Sequence, residues 1–434
     1  MVIGAAGYAI FGDGGDGGTT ARGGLSEGAQ RKSGQLKGKV LWQSGHASQD
    51  LSSYSLSGWH TADLTVAVAP QGLVAYDSRT GRQRWQMSSP PLPGGGPSLI
   101  CGVSTETGGN VGVIGFGPDG GDTVTKCKEF ALVDLATGRA RGQGTLPSGI
   151  GLGSKTMSAE VIDGTAVIEY DGGLTGFDLS GHQRWRLDVK AAVGDRHVVS
   201  DLLPGANAAM VLFDGLDSDD TVTVAQVSPK DGTVTKKAPV TLPSDVRSAN
   251  VQFLSTRPVV LSGSSGDHGA FISLDDAFRV KATIAQTGAW GTLDMSGYSH
   301  AGHDLIHAAV SSDTLVVGTS AETVSSTRET NKIMAFDLAT GRQRWATSLG
   351  PEVTSVPVAF DGDAVLAMLN GTYENPPQVF RLAVTDGKAT PIGPAYSKDF
   401  ILAPETSRMY WDGSRIFGVS LSAMTETPSA YALG

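Results

Sequence analysis

The 434-residue sequence predicts an all-β fold, an eight-bladed β-propeller whose blades are four-stranded antiparallel sheets. Three observations lead to this prediction. Glycine is abundant, at 59 residues, and no long amphipathic helical pattern is present, which favours short strands joined by tight turns. One hairpin motif recurs along the chain at the period of a propeller blade. The two chain ends supply complementary parts of one further blade, which predicts a closed ring.

The recurring motif is clearest in two nearly identical segments. Residues 74–85 read VAYDSRTGRQRW, and residues 334–345 read MAFDLATGRQRW. A β-branched or aromatic run ends in Asp, whose carboxylate can accept backbone hydrogen bonds in the following turn, and glycine permits the positive φ that closes this turn. The next strand ends in tryptophan, a flat side chain suited to packing between adjacent sheets. The motif therefore predicts the hairpin between the third and fourth strands of a blade.

Further copies of the motif are weaker. Residues 174–185 keep the Asp, Gly and Trp but are one residue shorter in the turn, whereas residues 132–139 are followed by Gly142 at the tryptophan position. Degenerate units centre on residues 228, 274 and 384, so that successive turns lie roughly 50 residues apart. The predicted structural positions of the repeat are Asp77, Thr80, Gly81 and Trp85; Asp134, Thr137 and Gly138; Asp178, Gly181 and Trp185; Asp337, Thr340, Gly341 and Trp345; and Trp42.

The chain ends complete the count of blades. Residues 407–412, 415–420 and 429–433 predict the first three strands of a last blade, but no fourth strand follows them. Lys39–Gln43, which contains Trp42, resembles a fourth strand without its first three. We expect this segment to pair with Ser429–Leu433 and to close the ring, which removes exposed sheet edges. Seven blades are the alternative if the unit around Leu274 is not a full blade.

The amino-terminal region predicts an anchor and a tether. Residues 1–11 (MVIGAAGYAIF) are apolar but too short to cross a bilayer, which needs about 20 residues. We interpret them as the remnant of a membrane helix or export signal. Residues 12–38 are predicted to be a flexible Gly-rich linker, and residues 39–434 a single propeller domain. The sequence therefore predicts an extracytoplasmic protein, on the cell surface or anchored in the membrane by its amino terminus alone.

The two cysteines are consistent with an oxidising compartment. Cys101 and Cys127 lie 26 positions apart, on predicted neighbouring strands of one blade. Strands within a blade are close enough for a disulfide, which we expect, and two unrelated buried thiols are the alternative. Their spacing matches neither a redox CxxC motif nor a zinc site.

The signature Ala-x-Asp-x-x-Thr-Gly-x-x-x-Trp, at residues 75–85 and 335–345, resembles the pyrroloquinoline-quinone-type propeller repeat family. The resemblance covers roughly residues 39–434 and implies eight blades with tryptophan-docking motifs. It implies either a dehydrogenase with quinone and calcium in the central channel, or a non-enzymatic assembly lipoprotein, sensor or scaffold. The adjacent cysteine pair of the dehydrogenases and a CxxCH haem motif are both missing from this sequence. We therefore expect the non-enzymatic branch, with no cofactor, and keep the quinone-dependent dehydrogenase as the alternative.

Three histidines form the one cluster that could carry chemistry. His300, His303 and His307 would share a face of a helix and could then bind zinc. Their surroundings instead predict a loop that leads into a strand at residues 304–310, where this spacing does not bring ligands together. We interpret them as structural or surface histidines, of which the first two could line a channel mouth.

The remaining charged clusters are interpreted as structural. Asp119, Asp122 and the acidic run from Asp214 to Asp220 lack the spacing and the terminal Glu of an EF-hand loop, so they predict solvated hairpin tips. Arginines that alternate around the repeat tryptophans are interpreted as solvated packing residues; they are Arg82, Arg84, Arg184, Arg186, Arg342 and Arg344. The sequence thus predicts no catalytic and no metal-binding residue.

These patterns favour a monomeric binding protein over an enzyme. Connecting loops at the mouths of a propeller channel are where a partner protein or small molecule is expected to bind. The net charge of −10, with scattered basic residues, argues against nucleic acid as the partner. The long irregular connections predicted to make the contacts are residues 90–97, 287–303, 321–330 and 395–405.

Overall fold

The computed structural model contains eight four-stranded antiparallel sheets arranged in a ring, so the protein is an eight-bladed β-propeller. The structure describes residues 36–434, apart from short gaps. These gaps are residues 46–54, 120–125, 148–156, 217–219, 266–267, 296–297, 300–303, 326–327, 372–375, 394, 397–403 and 422–427. The predicted anchor at residues 1–11 and nearly all of the predicted linker lie outside the described residues.

Blades 1 to 4 follow one another along the first half of the chain. Their strands, from first to fourth, are Ser57–His60, Leu64–Ala69, Gly72–Asp77 and Gln83–Ser88 in blade 1; Ser98–Val103, Val111–Pro118, Glu129–Asp134 and Arg139–Thr145 in blade 2; Met157–Ile162, Thr165–Tyr170, Gly173–Asp178 and Gln183–Arg186 in blade 3; and His197–Pro204, Ala209–Gly215, Thr221–Val227 and Val234–Thr241 in blade 4. One short helix, α1, spans Val189–Val193 between blades 3 and 4.

Blades 5 to 8 occupy the second half and take one strand from the start of the chain. Their strands are Val251–Thr256, Val259–Ser265, His268–Leu274 and Val280–Ala285 in blade 5; Ala308–Val310, Thr314–Gly318, Ile333–Asp337 and Gln343–Thr347 in blade 6; Ser355–Asp361, Ala364–Leu369, Gln378–Ala383 and Ala389–Pro391 in blade 7; and Ser407–Trp411, Ile416–Ser420, Ala430–Leu433 and Val40–Gln43 in blade 8. Short 3₁₀ turns precede blades 5 and 8 at Ser248–Asn250 and Pro404–Thr406.

The order of strands in each blade fixes what lies at the centre and what lies at the rim. First strands of neighbouring blades contact each other, as Met157–Ile162 does with Ser98–Val103 and with His197–Pro204, and so they form the inner wall of the ring. Fourth strands lie at the rim and are largely exposed, as in Gln83–Ser88. Leu64–Ala69 is buried at every position because blades cover both of its faces, which explains its nearly continuous apolar sequence.

The core consists of apolar layers between successive blades rather than one central mass. Between blades 4 and 5, for example, Leu212 and Val224 pack in the same buried cluster as Phe253 and Ile272. Each blade must therefore present an apolar surface on both sides, which the β-branched and aromatic middle strands supply.

The first strand of the chain closes the ring, as predicted. Val40 pairs with Leu433 and Gln43 pairs with Tyr431 in an antiparallel register, which makes Val40–Gln43 the outer strand of blade 8. The packed part of the chain extends beyond the predicted boundary at Lys39, because Leu36 is only 2% exposed and belongs to the cluster between blades 7 and 8.

Two expectations from the sequence require correction. The seven-blade alternative is wrong, because the degenerate unit around Leu274 is a complete blade. The strand expected at residues 304–310 is also wrong in its extent, since only Ala308–Val310 belongs to blade 6. The backbone N–H of Ala308 donates to the carbonyl of Ile306 (3.0 Å), and this tight turn interrupts the strand.

Two connections predicted to be irregular contain small hairpins instead. Thr287–Gly288 pairs with Gly291–Thr292, and Tyr298–Ser299 pairs with Asp304–Leu305, both between blades 5 and 6. A third hairpin, of Glu322–Ser325 with Arg328–Thr330, is inserted between the second and third strands of blade 6; we call it the blade 6 hairpin. Among the residues that the structure describes, no helix has the length and apolar character needed to span a membrane.

The predicted disulfide is present between Cys101 and Cys127, whose Cα atoms lie 5.6 Å apart. It joins the first strand of blade 2 to the segment that leads into its third strand, and both residues are buried. Cys127 therefore precedes Glu129–Asp134 rather than lying within a strand.

Candidate functional site

The motif turns have the hydrogen bonds that their residue types predict. Asp77 Oδ1 accepts from the backbone N–H of Thr80 (2.9 Å) and from its hydroxyl (3.0 Å). Asp337 and Thr340 repeat both bonds in blade 6 at 2.9 Å. Gly81 closes its turn with φ of 68°, a conformation that favours glycine.

Each repeat tryptophan contacts the motif turn of the next blade. The indole Nε1–H donates to a backbone carbonyl in every case: Trp42 to Ser78 (3.0 Å), Trp85 to Leu135 (2.8 Å), Trp185 to Pro229 (2.8 Å) and Trp345 to Val384 (2.7 Å). The turn glycine lets the ring lie flat on the backbone, because a Cβ on Gly81 would come within 2.6 Å of the Trp42 ring.

The other four blades fill the equivalent position differently. The tryptophan position lies four residues after the turn glycine, or after the residue that replaces this glycine in blade 5. It is occupied by Gly142 in blade 2, Lys236 in blade 4, Ala282 in blade 5 and Pro391 in blade 7. Gly142 lies directly against the turn of blade 3, since a Cβ there would come within 2.5 Å of the Ser180 carbonyl carbon. Lys236 places its ammonium 4.3 Å from the Phe278 ring centre of blade 5, which is a cation–π contact. The contact between blades is thus kept with different chemistry.

A buried polar cluster lies on the inner wall, and none of its members was predicted from the sequence. We call Ser57, Thr105, Glu106, Glu160 and Arg408 the inner-wall cluster. Arg408, from the first strand of blade 8, donates through Nη2 to the Thr105 carbonyl (2.7 Å) and through Nη1 to Ser57 Oγ (3.2 Å). Because it reaches blades 1 and 2 at once, its guanidinium lies on the axial side of the first strands.

Blade 3 contributes the acid that completes this cluster. Glu160 is 1% exposed and accepts from the backbone N–H groups of Thr105 through Oε1 and of Glu106 through Oε2, each at 3.2 Å. Arg408 and Glu160 therefore hold the loop at residues 104–109 of blade 2 from opposite sides. Three buried atoms of the cluster, Thr105 Oγ1, Glu106 Oε1 and Arg408 Nε, have no hydrogen-bond partner among the described residues.

The charges of the inner-wall cluster are unbalanced if both acids are ionised. Burial raises the pKa of Glu106 to about 7, although the Arg408 guanidinium opposes the rise. Burial, and then the nearby Glu106 carboxylate, raise the pKa of Glu160 well above its ordinary range. One guanidinium is shared by two buried carboxyl groups, so retention of a proton by the pair avoids an uncompensated negative charge.

The residues of this cluster are far apart in sequence, which is why the sequence did not reveal it. Glu160 is the one charged residue of the buried strand Met157–Ile162, and a buried strand with one internal acid is a usable signal. Nothing local connects that acid to Arg408, because the two meet only when the ring has closed.

A second group of buried acids lies between blades 3 and 4. Glu169 is 5% exposed, and its Oε1 accepts from the backbone N–H of Gly172 (3.2 Å). Burial raises its pKa to about 8, with a further contribution from Asp201. Asp201 Oδ2 accepts from the backbone N–H of Phe253 in blade 5 (2.7 Å), so Asp201 binds a backbone group across blades whereas Glu169 binds one within blade 3.

The histidines and acidic runs singled out in the sequence do not converge on a site. His307 precedes the first strand of blade 6, where Nε2 contacts the Glu405 carbonyl (2.9 Å) and burial lowers its pKa. The acidic run of blade 4 begins within the second strand, where Asp214 is 8% exposed, and only its Asp220 end lies in the turn before the third strand, so the prediction of a solvated hairpin tip is wrong for Asp214. His300, His303, Asp122 and residues 217–219 lie outside the described residues. Within the described ranges, no group of three His, Cys, Asp or Glu could hold a metal ion.

Two of the motif arginines form ion pairs or hydrogen bonds that the prediction of solvated packing residues did not include. Arg344 Nη2 contacts Asp313 (2.8 Å) and Asp337 (2.7 Å), and its side chain is 25% exposed. Arg184 donates to Thr165 Oγ1 (3.1 Å). These arginines therefore tie the fourth strand of a blade to the turns before its second and fourth strands.

Comparison with known proteins shows the fold and not the family. No protein-family model and no curated protein matches the sequence. The crystal structure of BamB from Moraxella catarrhalis is 15% identical, with a TM-score of 0.50, over 91% of this chain and 100% of that one. The quinohemoprotein alcohol dehydrogenase ADHIIG from Pseudomonas putida HK5 is 12% identical, with a TM-score of 0.54, over 93% of this chain and 77% of that one. The propeller fold is shared with both, and a fold shared by a dehydrogenase and BamB does not assign a function to this chain.

Proposed function

We propose that this protein is an extracytoplasmic, membrane-tethered propeller that binds a partner protein or a small molecule as a sensor or scaffold. The observation that carries the proposal is the blade 6 hairpin, an insertion between two blade strands that exposes all of Glu322–Ser325. Val324 in it is 51% exposed, and an exposed apolar side chain on a projecting hairpin suits a contact surface. An ion pair between Arg328 and Glu352 fixes its other strand to the connection before blade 7.

The location and the tether belong to the same proposal. The disulfide between Cys101 and Cys127 supports an oxidising compartment, because such bonds persist mainly outside the cytoplasm. The apolar residues 1–11 would provide the membrane attachment, and the propeller would act as a monomer. A channel whose wall is built from first strands leaves the connecting loops at its mouths to make specific contacts.

A quinone-dependent dehydrogenase is the second candidate, favoured by the fold shared with the alcohol dehydrogenase. The channel residues do not fit the calcium ion of that branch. Calcium takes six to eight oxygen ligands, whereas the inner-wall cluster offers the carboxylates of Glu106 and Glu160 beside the Arg408 guanidinium. A fixed positive charge at this point repels a cation, so the inner-wall cluster does not support a reaction through a quinone and its metal.

Site-specific photocrosslinking in cells that make the full-length protein tests the proposal. A photoreactive residue at Val324 is expected to give a discrete adduct with a partner, whereas one at Val280, which is 44% exposed on the rim of blade 5, is the matched control. Equal labelling at both positions, or none at Val324, would contradict the assignment of the hairpin. Addition of pyrroloquinoline quinone with calcium should leave the absorption spectrum of the mixture additive, and a saturable spectral change would favour the dehydrogenase.

A further inference from the structure

A cleft of about 320 Å³ lies between the motif turns of blades 1 and 2, and none of its lining residues belongs to the inner-wall cluster. Blade 2 contributes the backbone turn around Leu135 and Asn110. Blade 1 contributes two arginines, Arg79 and Arg84, together with the carboxylates of Asp63 and Asp77. A polar cleft of this size between repeats is large enough for a small ligand or for one end of a peptide.

In blade 6, the arginine at the same motif position has hydrogen-bond partners for both of its terminal nitrogens. Arg344 occupies the position of Arg84 in the repeat, and its guanidinium donates to Asp313 Oδ2 (2.8 Å) and Asp337 Oδ2 (2.7 Å). A third bond runs from Nη1 to Thr314 Oγ1 (2.7 Å). Both terminal nitrogens of this guanidinium therefore donate within blade 6.

Blade 1 lacks most of these partners. Leu64 replaces Thr314, since each pairs with the motif Asp of its own blade, and leucine accepts no hydrogen bond. Arg84 is left with one ionic partner among the described residues, Asp77 at 3.6 Å, and its side chain is 59% exposed. Within the same described part of the chain, Asp63, the counterpart of Asp313, forms no ion pair with it. The guanidinium of Arg84 thus faces the cleft with uncommitted donors.

Blade 1 also carries a second positive charge at this place. Arg79 lies in the motif turn, where blade 6 has Ala339. The backbone N–H of Arg79 donates to Asp77 Oδ1 (3.1 Å), which fixes the turn and leaves the side chain exposed. Asp77 is meanwhile occupied by its own turn, and the bonds from Thr80 lower its pKa. Two of the sequence differences between blades 1 and 6 therefore favour an anion here: Leu64 removes a partner of the motif arginine, and Arg79 adds a second positive charge.

We propose that this cleft binds the carboxylate of an amino acid or of a peptide carboxyl terminus, with Arg84 as the main donor. A planar guanidinium matches a carboxylate in a two-point hydrogen-bonded pair, and Arg79 adds a second charge. Asp63 on the same wall suits the N–H group that lies next to the carboxylate in such a ligand. Inorganic phosphate has no N–H group and carries up to two negative charges at neutral pH, so both acids repel it more strongly than they repel a carboxylate. The site does not include any residue of the blade 6 hairpin, so either assignment can fail without the other.

Binding of glycylglycine to the ¹⁵N-labelled full-length chain tests this site through the arginine Nε–Hε signals. A saturable shift is expected for the signal that disappears in Arg84→Gln, while the Arg344 signal stays in place. Arg84→Gln should weaken binding at least tenfold and Arg79→Gln severalfold. Arg342→Gln, which changes an exposed arginine of the blade 6 turn, should leave the affinity unchanged. A small effect of Arg84→Gln on the unfolding midpoint shows that the loss does not reflect misfolding.

Two further ligands test whether the cleft recognises the carboxylate of glycylglycine. Glycinamide, which has the amine but no carboxylate, should cause no shift of the Arg84 signal. Inorganic phosphate should bind more weakly than glycylglycine. Equal or tighter phosphate binding, a shift with glycinamide, or unchanged affinity in Arg84→Gln would each overturn the proposal.

Discussion

Replacement of Glu106 by glutamine should remove part of the pH dependence of stability. The pKa of Glu106 rises from 4.5 to about 7 on folding, chiefly through burial. Between these values the folded protein binds more protons than the unfolded chain, so this group's contribution to stability is present below about pH 4.5 and is lost as pH rises towards 7. One linked proton changes the free energy of unfolding by about 1.4 kcal/mol per pH unit, which sets an upper limit of about 3 kcal/mol.

Glutamine resembles the protonated acid, so Glu106→Gln and the unchanged protein should be similarly stable at pH 5. At pH 8 the variant should be the more stable, by up to about 3 kcal/mol. Urea unfolding followed by tryptophan fluorescence at several pH values measures the difference. Glu322→Gln changes an exposed acid of the blade 6 hairpin and is the control. Curves for Glu106→Gln and the unchanged protein that stay parallel from pH 5 to 8 would refute a raised pKa in the inner-wall cluster.

Three further predictions concern the contacts that hold the blades. Gly138→Ala should lower the free energy of unfolding by about 2 kcal/mol more than Gly164→Ala does. Both glycines have positive φ (65° and 70°), but only a Cβ at Gly138 would overlap the Trp85 ring. Thermal unfolding of both variants measures the difference, and equal losses of stability would contradict the packing of Trp85 on Gly138. Trp345→Phe keeps a ring but removes the indole donor and should cost about 1–2 kcal/mol in urea unfolding, whereas an unchanged midpoint would show that this bond contributes nothing. Cys127→Ser removes a disulfide between residues that are 26 positions apart and should lower the free energy of unfolding by about 3 kcal/mol. Equal stability of the variant and the unchanged protein under oxidising conditions would contradict this prediction.

The fold could be predicted because its determinants are local and repeated. The turn at Asp77 is closed by residues three and four positions later, so its chemistry is visible in a short segment. Trp42 near the start of the chain can be recognised as part of a fourth strand because a tryptophan also ends the better-matching copies of the hairpin motif. Where the tryptophan is replaced, as by Lys236, the contact with the next blade persists through chemistry that no single motif encodes.

The inner-wall cluster could not be predicted for the opposite reason. Glu160 and Arg408 belong to blades 3 and 8, and their meeting depends on the closure of the ring and on the loop that carries Thr105. The hairpins between blades 5 and 6 escape prediction because strands of two residues leave no periodic signal. His307 lies in the connection that leads into the strand Ala308–Val310 and not on a helix, although the strand predicted at residues 304–310 included it.

Amide hydrogen exchange of the closing strands tests the central claim most directly. If Val40–Gln43 is the outer strand of blade 8, its amides and those of Ala430–Leu433 should be protected together and should lose protection together in denaturant. Rapid exchange of residues 40–43 while residues 430–433 remain protected would contradict a ring closed by the two ends of the chain.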